Sequence, residues 1–178
     1  IFRVIIKYSA SCFAAYNSVL SELRGEFVQF ASLNQYIKDS SSLQVLSSHM
    51  IESGADIVTF ASARLDTNPG MESIPIRRKL AYYRSLNLNC VLFRKSAVIE
   101  SGGFDLNYCE AADYHLIAKI IKRGGEMKKL IHTVCMSDEP FLDDDEKPLV
   151  EFDAIRFEVC SDFVRRELFE NIESYSKV

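Results

Sequence analysis

Along this chain, short runs rich in β-branched and aromatic residues alternate with segments whose apolar residues recur every three or four positions, and glycines stand at the joints. Phe2 to Lys7 (FRVIIK) reads as a buried strand. Ala10 to Leu23 places Phe13, Tyr16, Leu20 and Leu23 on one stripe, an amphipathic helix that Gly25 can end. Phe27 to Ala31 (FVQFA) is a second strand. A polar loop from Ser32 to Ser41 then supplies serines to cap a helix carrying Leu43, Leu46 and Met50, which Gly54 ends. Asp56 to Ala61 (DIVTFA) is a third strand. Strand, helix, strand, helix, strand in that order predicts parallel pairing through crossover helices, so the fold class is α/β.

The pattern loosens between Arg64 and Leu88, where Asn68, Pro69, Gly70 and Pro75 punctuate a loop ahead of a basic, aromatic stretch from Ile76 to Tyr83. A strand at Cys90 to Phe93 follows, then a short helix around Ala97 to Glu100 and a turn at Gly102, Gly103, Phe104 and Asp105. The next helix, Ala111 to Arg123, turns Leu116, Ile117, Ile120 and Ile121 inward, ends at Gly124 and Gly125, and leads to a strand at Met127 to Val134. An acidic loop, Asp143 to Glu146, sits between Pro140 and Pro148. Beyond it the segment 149–178 carries a terminal helix, from about Val150 to Ile172, with an apolar side that packs back on the domain. No repeat or linker divides the chain, and 178 residues suit one domain.

A net charge of -4 and a pI near 5.5 give no basic surface for nucleic acid. No apolar run approaches the roughly 20 residues that span a bilayer, and the N-terminus lacks the order of a signal peptide. The expected location is cytoplasmic, with peripheral membrane association left open. The five cysteines are widely spaced without a CxxC pair, so they are expected to be small buried hydrophobes in a reducing compartment. No GxGxxG, P-loop, GxSxG or HExxH pattern is present, which leaves kinase, dehydrogenase, hydrolase and zinc-protease readings without support.

One segment is distinctive: Asn89 to Gly124, NCVLFRKSAVIESGGFDLNYCEAADYHLIAKIIKRG. A strand ends in the basic pair Arg94 and Lys95, a short helix leads to GGFD at Gly102 to Asp105, and Ala112 with Asp113 opens a helix. This segment resembles the acceptor-side half of family 2 type glycosyltransferases of the GT-A fold. The resemblance extends back to Ala14 to Ala31, where Asn17, Gly25, Glu26 and Phe30 fit the family's A-x-N-x-G-x-x-x-A-x-G-E-Y-I-x-F frame, and it covers about Phe2 to Pro140.

The resemblance implies an inverting transfer of a sugar from a nucleotide-sugar donor to a hydroxyl of a glycan or other acceptor, in polysaccharide or glycoconjugate synthesis. It assigns Asp113 the part of general base, a carboxylate kept ionised at a helix N-terminus and able to take the acceptor's proton. The alternative for Asp113 is that it caps its helix. Asn34, Gln35, Asn89, Gly103 and Asp105 are counted as donor- or acceptor-binding, with turn shaping the favoured part for Asp105.

Two departures stand beside the resemblance. The family's metal-binding acidic pair, counted on from Phe30, falls at Asn34 and Gln35, and neutral amides contribute no charge toward the Mg²⁺ or Mn²⁺ the family uses. Asp39 lies too far along to replace them, His132 reads as a strand histidine, and the acids at Asp143 to Glu146 lack the spacing of a calcium loop. No metal site is assigned. The family's first nucleotide-binding strands also have no counterpart here, so the expected fold is an incomplete GT-A-like domain with a mostly parallel sheet and flanking helices. The rival expectation is a non-catalytic binding or assembly module, working with a protein partner or a missing N-terminal half. The transferase reading requires Phe27 to Ala31 and Asp56 to Ala61 in one sheet, and Asp113 and Asn34 on a common cleft.

Overall fold

The computed structural model describes residues 11–31, 35–64, 88–137 and 150–155. The expected strand at Phe2 to Lys7, Asn34, the loop ahead of Leu88, the acidic loop and the terminal helix beyond Ile155 lie outside the described residues.

Helix α1 (Cys12–Leu20) starts where the Ser11 hydroxyl accepts the Ala14 N–H at 3.2 Å and buries Phe13 and Leu20. It ends before Leu23, which packs partly buried beyond it. Strand β1 (Phe27–Gln29) follows. Residues 32–41 were expected as a loop, yet β2 (Gln35–Ile37) lies within them and pairs with a strand at the far end of the sequence. Helix α2 (Ser40–Ser53) is capped by Asp39, whose carboxylate accepts the Ser42 N–H at 2.8 Å and the hydroxyls of Ser41 and Ser42 at 2.7 and 2.9 Å. Gly54, in the left-handed region at φ 65°, closes it as expected.

One expectation for α2 needs correction. Leu43 is 49% exposed, while Ser42, Leu46 and Met50 form the buried row. The hydrogen bond from the Ser42 hydroxyl to Asp39 satisfies that hydroxyl and lets it turn inward, so the stripe starts one residue earlier than the apolar pattern indicates.

After β3 (Ile57–Arg64) come a 3₁₀ turn (Leu88–Cys90), β4 (Val91–Arg94), α3 (Lys95–Glu100), α4 (Ala112–Lys122), β5 (Met127–Ser137) and α5 (Val150–Ile155). The sheet order is β1-β4-β3-β5-β2. β3 and β5 pair in parallel, and the pairs β1/β4, β4/β3 and β5/β2 are antiparallel. β1, β3 and β5 therefore run one way, with β4 and β2 opposed. Phe27 to Ala31 and Asp56 to Ala61 thus contribute parallel strands to one sheet, but as next-nearest neighbours. The intervening strand is VLFR, whose Val91, Leu92 and Phe93 are all buried, as a central strand covered on both faces requires.

The sheet is an α/β one with helices on both faces. Alternate residues feed opposite cores, as the pleat dictates. Ile57, Val91 and Phe93 join α1, α3, α4 and Ile155 of α5 in the larger core. Val58, Phe60, Leu92, Val134 and Cys135 pack with Leu46 and Met50 of α2 in the smaller one. β5 is longer than β3, and register shifts after Phe60 and Ala61 absorb the difference. Ile131, in the first of these bulges, is 68% exposed.

The cysteine expectation holds for Cys135, which is buried. It fails for Cys12 and Cys109, which are exposed free thiols. Cys12 stands at the first position of α1, beside buried Phe13, and Cys109 in the turn before α4, both on the solvent side. Among the described residues, no helix is long and apolar enough to cross a membrane.

Candidate active site

Helix α4 carries the candidate base. Ala112 to Ala118 are all buried, so the first two turns are enclosed and Asp113 and His115 are out of water, while Lys122 at the other end is exposed. Asp113 in its first turn is 6% exposed, and its Oδ1 accepts the Tyr114 N–H at 2.7 Å. Ala111 holds the N-cap position and has no side-chain acceptor. The Glu151 carboxylate of α5 takes the amides ahead of the helix, accepting from Cys109, Glu110 and Ala111 at 2.9, 3.0 and 3.1 Å. Asp113 is therefore not the N-cap of α4.

The GGFD turn is locked to α1. Asn17 donates its amide to the Phe104 carbonyl at 2.7 Å and accepts the Phe104 N–H at 2.9 Å, pairing with that residue as a strand would. Gly103 has φ 68°, and a Cβ there would stand 2.6 Å from Asn17 Oδ1. Only glycine satisfies both conditions. Phe104 enters an aromatic cluster with Phe13, Phe30 and Tyr16 at centroid distances of 5.1, 4.9 and 5.7 Å. The frame residues Asn17, Phe30 and Gly103 thus make one packing unit.

Asp105 accepts from the Asn107 N–H and side-chain amide at 3.0 and 2.9 Å, a turn-shaping arrangement. Its other oxygen lies 3.9 Å from Nδ1 of His115, which is buried on α4 under the Tyr108 ring at 4.7 Å. The turn thus lies against the helix bearing Asp113 at this point.

The basic residues ending β4 are also engaged. Arg94 pairs with Glu26 at 3.0 Å and lies over the Phe27 ring, and Lys95 donates to the Leu23 carbonyl at 2.9 Å. Asn89, in the 3₁₀ turn, accepts through its carbonyl from Gln29 at 3.3 Å. The same Gln29 amide reaches Sγ of Cys135 at 3.6 Å, and burial pushes the Cys135 thiol up from its ordinary value.

Topology places Asp113, Gln35 and Asn89 toward one end of the sheet. α4 runs back to the start of β5, so its N-terminus with Asp113 lies toward the carboxyl ends of β3 and β5. Gln35 pairs with Ser137, the last residue of β5, which also faces Arg64, the last of β3. Asn89 precedes β4 beside Gln29, the last residue of β1. The carboxyl ends of parallel strands are where α/β sheets take their ligands. A polar cavity of about 240 Å³, lined by Asp56, Ser96, Glu100, Arg123 and Gly125 among others, opens at the opposite end and contains none of these residues.

The cation that the resemblance implies does not fit the described donor set. Residue 35 carries a neutral amide, and no three His, Cys, Asp or Glu side chains come together among the described residues.

No protein-family model and no curated protein sequence matches the chain. Solved structures do. TarS 1-349 of S. aureus in complex with UDP-GlcNAc aligns with a TM-score of 0.61 at 14% identity, over 85% of this chain and 46% of that one. The same protein with UDP gives 0.58 at 14% identity, over 84% and 50%. The mannosyltransferase PcManGT from Pyrobaculum calidifontis, in complex with GDP-Man and Mn²⁺, gives 0.55 at 16% identity, over 76% and 38%. The fold is glycosyltransferase-like, of the GT-A type. This chain spans half or less of the length of these GT-A-like structures.

Sequence reasoning missed Glu151, His115 and Tyr108. Glu151 reaches its partners across some forty positions, so no local pattern betrays it. His115 had one available signal, its place two residues beyond Asp113 and beside the apolar run of Leu116, Ile117 and Ala118.

Proposed function

We propose that this chain is the acceptor-side part of an inverting glycosyltransferase of family 2 type, in which Asp113 is the general base. In that reaction an acceptor hydroxyl attacks the anomeric carbon, the bond from that carbon to the donor phosphate breaks, the nucleoside diphosphate leaves, and the hydroxyl proton passes to Asp113. Asn89 and Gln35 would line the same end of the sheet, with Asp105 shaping the turn and Gly103 allowing the close approach of α1; Asn34, outside the described residues, is proposed to act beside Gln35. The product class is a polysaccharide or glycoconjugate.

The observation that carries this reading is the position of Asp113. It is a buried carboxylate in the first turn of α4 that accepts the Tyr114 N–H, while Glu151 holds the turn ahead of the helix. Carboxylates are rarely buried, and one buried toward the ligand-binding end of an α/β sheet is a candidate for chemistry. At 6% exposure Asp113 meets an acceptor only when its cover shifts, so acceptor binding is expected to involve a conformational step. No step is routed through a metal ion, since the residues at 34 and 35 offer no anionic oxygen.

A second reading, a non-catalytic binding module, is favoured by those amides. Calorimetric titration of the 178-residue chain with UDP, GDP and their sugars, with and without Mn²⁺, separates the two. Donor binding together with transfer that falls about 10²–10⁴-fold in Asp113→Asn supports the transferase. Binding of neither nucleotide under either condition would leave the module reading in its place.

A further inference from the structure

Ala111 at the N-cap of α4 offers no side-chain acceptor; Asp113 takes the Tyr114 N–H within the first turn, and the amides of the turn leading into the helix are held from α5. Glu151 Oε1 accepts from Cys109 at 2.9 Å, and Oε2 accepts from Glu110 and Ala111 at 3.0 and 3.1 Å. Helical spacing puts Ile155 one turn beyond Glu151 on the same face, and Ile155 is fully buried in the core it shares with Leu116 and Ile117 of α4. One short helix thus grips the start of α4 through an apolar contact and a charged one. Asp113 sits two residues past the last gripped amide.

We propose that Glu151 is a positioning residue: its carboxylate fixes the 109–111 turn and, through it, the orientation of the Asp113 carboxylate toward an acceptor. The second clause rests on the transferase reading; the hold on the backbone does not. Hydrogen bonds from backbone amides to an ionised carboxylate are of the strong kind. A glutamine at 151 keeps one neutral acceptor oxygen and turns its N–H₂ toward at least one of the three donors, so it cannot reproduce the grip.

The test is amide hydrogen exchange with ¹H–¹⁵N spectra of the whole chain. In Glu151→Gln, the amides of Cys109, Glu110 and Ala111 are expected to exchange about tenfold faster or more, while those of β3 and β4 hold their rates. In Glu151→Ala, added acetate is expected to restore the 109–111 signals saturably. Unchanged 109–111 amides in a folded Glu151→Gln overturn the proposal, and that variant decides alone if Glu151→Ala does not fold. In a transfer assay, Glu151→Gln is expected to lower kcat about tenfold with donor KM unchanged. A change in KM alone overturns the link to Asp113. Absence of transfer in the unaltered chain counts against the transferase reading, and the exchange result then judges the grip by itself.

Discussion

Asn17 and Gly103 form a pair in which each residue explains the other. The Asn17 amide occupies the space a side chain at 103 would need, and its two hydrogen bonds to Phe104 hold the turn that gives Gly103 its φ of 68°. Asn17→Ala is expected to cost about 1–3 kcal/mol, since it strands the Phe104 amide and carbonyl in a partly buried site. Gly103→Ala is expected to cost a similar amount, about 1–3 kcal/mol, from backbone strain and the clash. The double variant should lose less than the sum, because removing the Asn17 amide removes the clash. Denaturant melts of the three variants measure this, and strict additivity would mean that the two residues act apart. At this scale the sequence disclosed types better than duties. Asp113 and GGFD were visible as a motif, whereas the Asn17 clamp and the Glu151 cap depend on chain segments that meet only after folding.

Among elements, α2 offers the cleanest tests. Hydrogen bonds from Ser41 and Ser42 hold the Asp39 carboxyl down at about 2, against an ordinary 3.8. A lowered folded-state pKa contributes stability that is complete above the unfolded value and fades as pH falls from about 4 toward 2. Asp39→Asn keeps an acceptor oxygen and is expected to flatten that acid limb in thermal melts; an unchanged limb would remove Asp39 from the pH response. The helix face is tested separately. Leu46→Ala, at a site 1% exposed, is expected to cost about 2–5 kcal/mol. Leu43→Ala, at a site 49% exposed, should stay within about 0.5 kcal/mol. The helices at 40–53 and 112–122 were legible because their glycine stops are real, and the one at 12–20 from periodicity alone, since it ends at Ser21 ahead of Gly25. β2 was not, since three residues between polar neighbours carry no period, and only β5 makes them a strand.

For the molecule as a whole, the order of the sheet decides where stability resides. β3 and β4 each have a partner on both sides and are buried on both faces. The amides of Ile57 to Phe60 and Val91 to Phe93 are expected to exchange only through global unfolding, whereas those of β2 open earlier. Exchange from native-state fluctuations in β3 at rates matching β2 would contradict this layout. The α/β class and the flanking helices could be read from the alternation of patterns, but the insertion of β4 between β1 and β3 could not, because strand order leaves no mark on local sequence. That insertion also sets a schedule for biosynthesis. Phe27 finds its partner only when Arg94 has been made, and Gln35 must wait for Ser137. Among the described residues, a nascent chain leaving the ribosome therefore waits for β4 before β1 can pair and for β5 before β2 can, so the sheet closes by late, non-local contacts of the kind that slow folding.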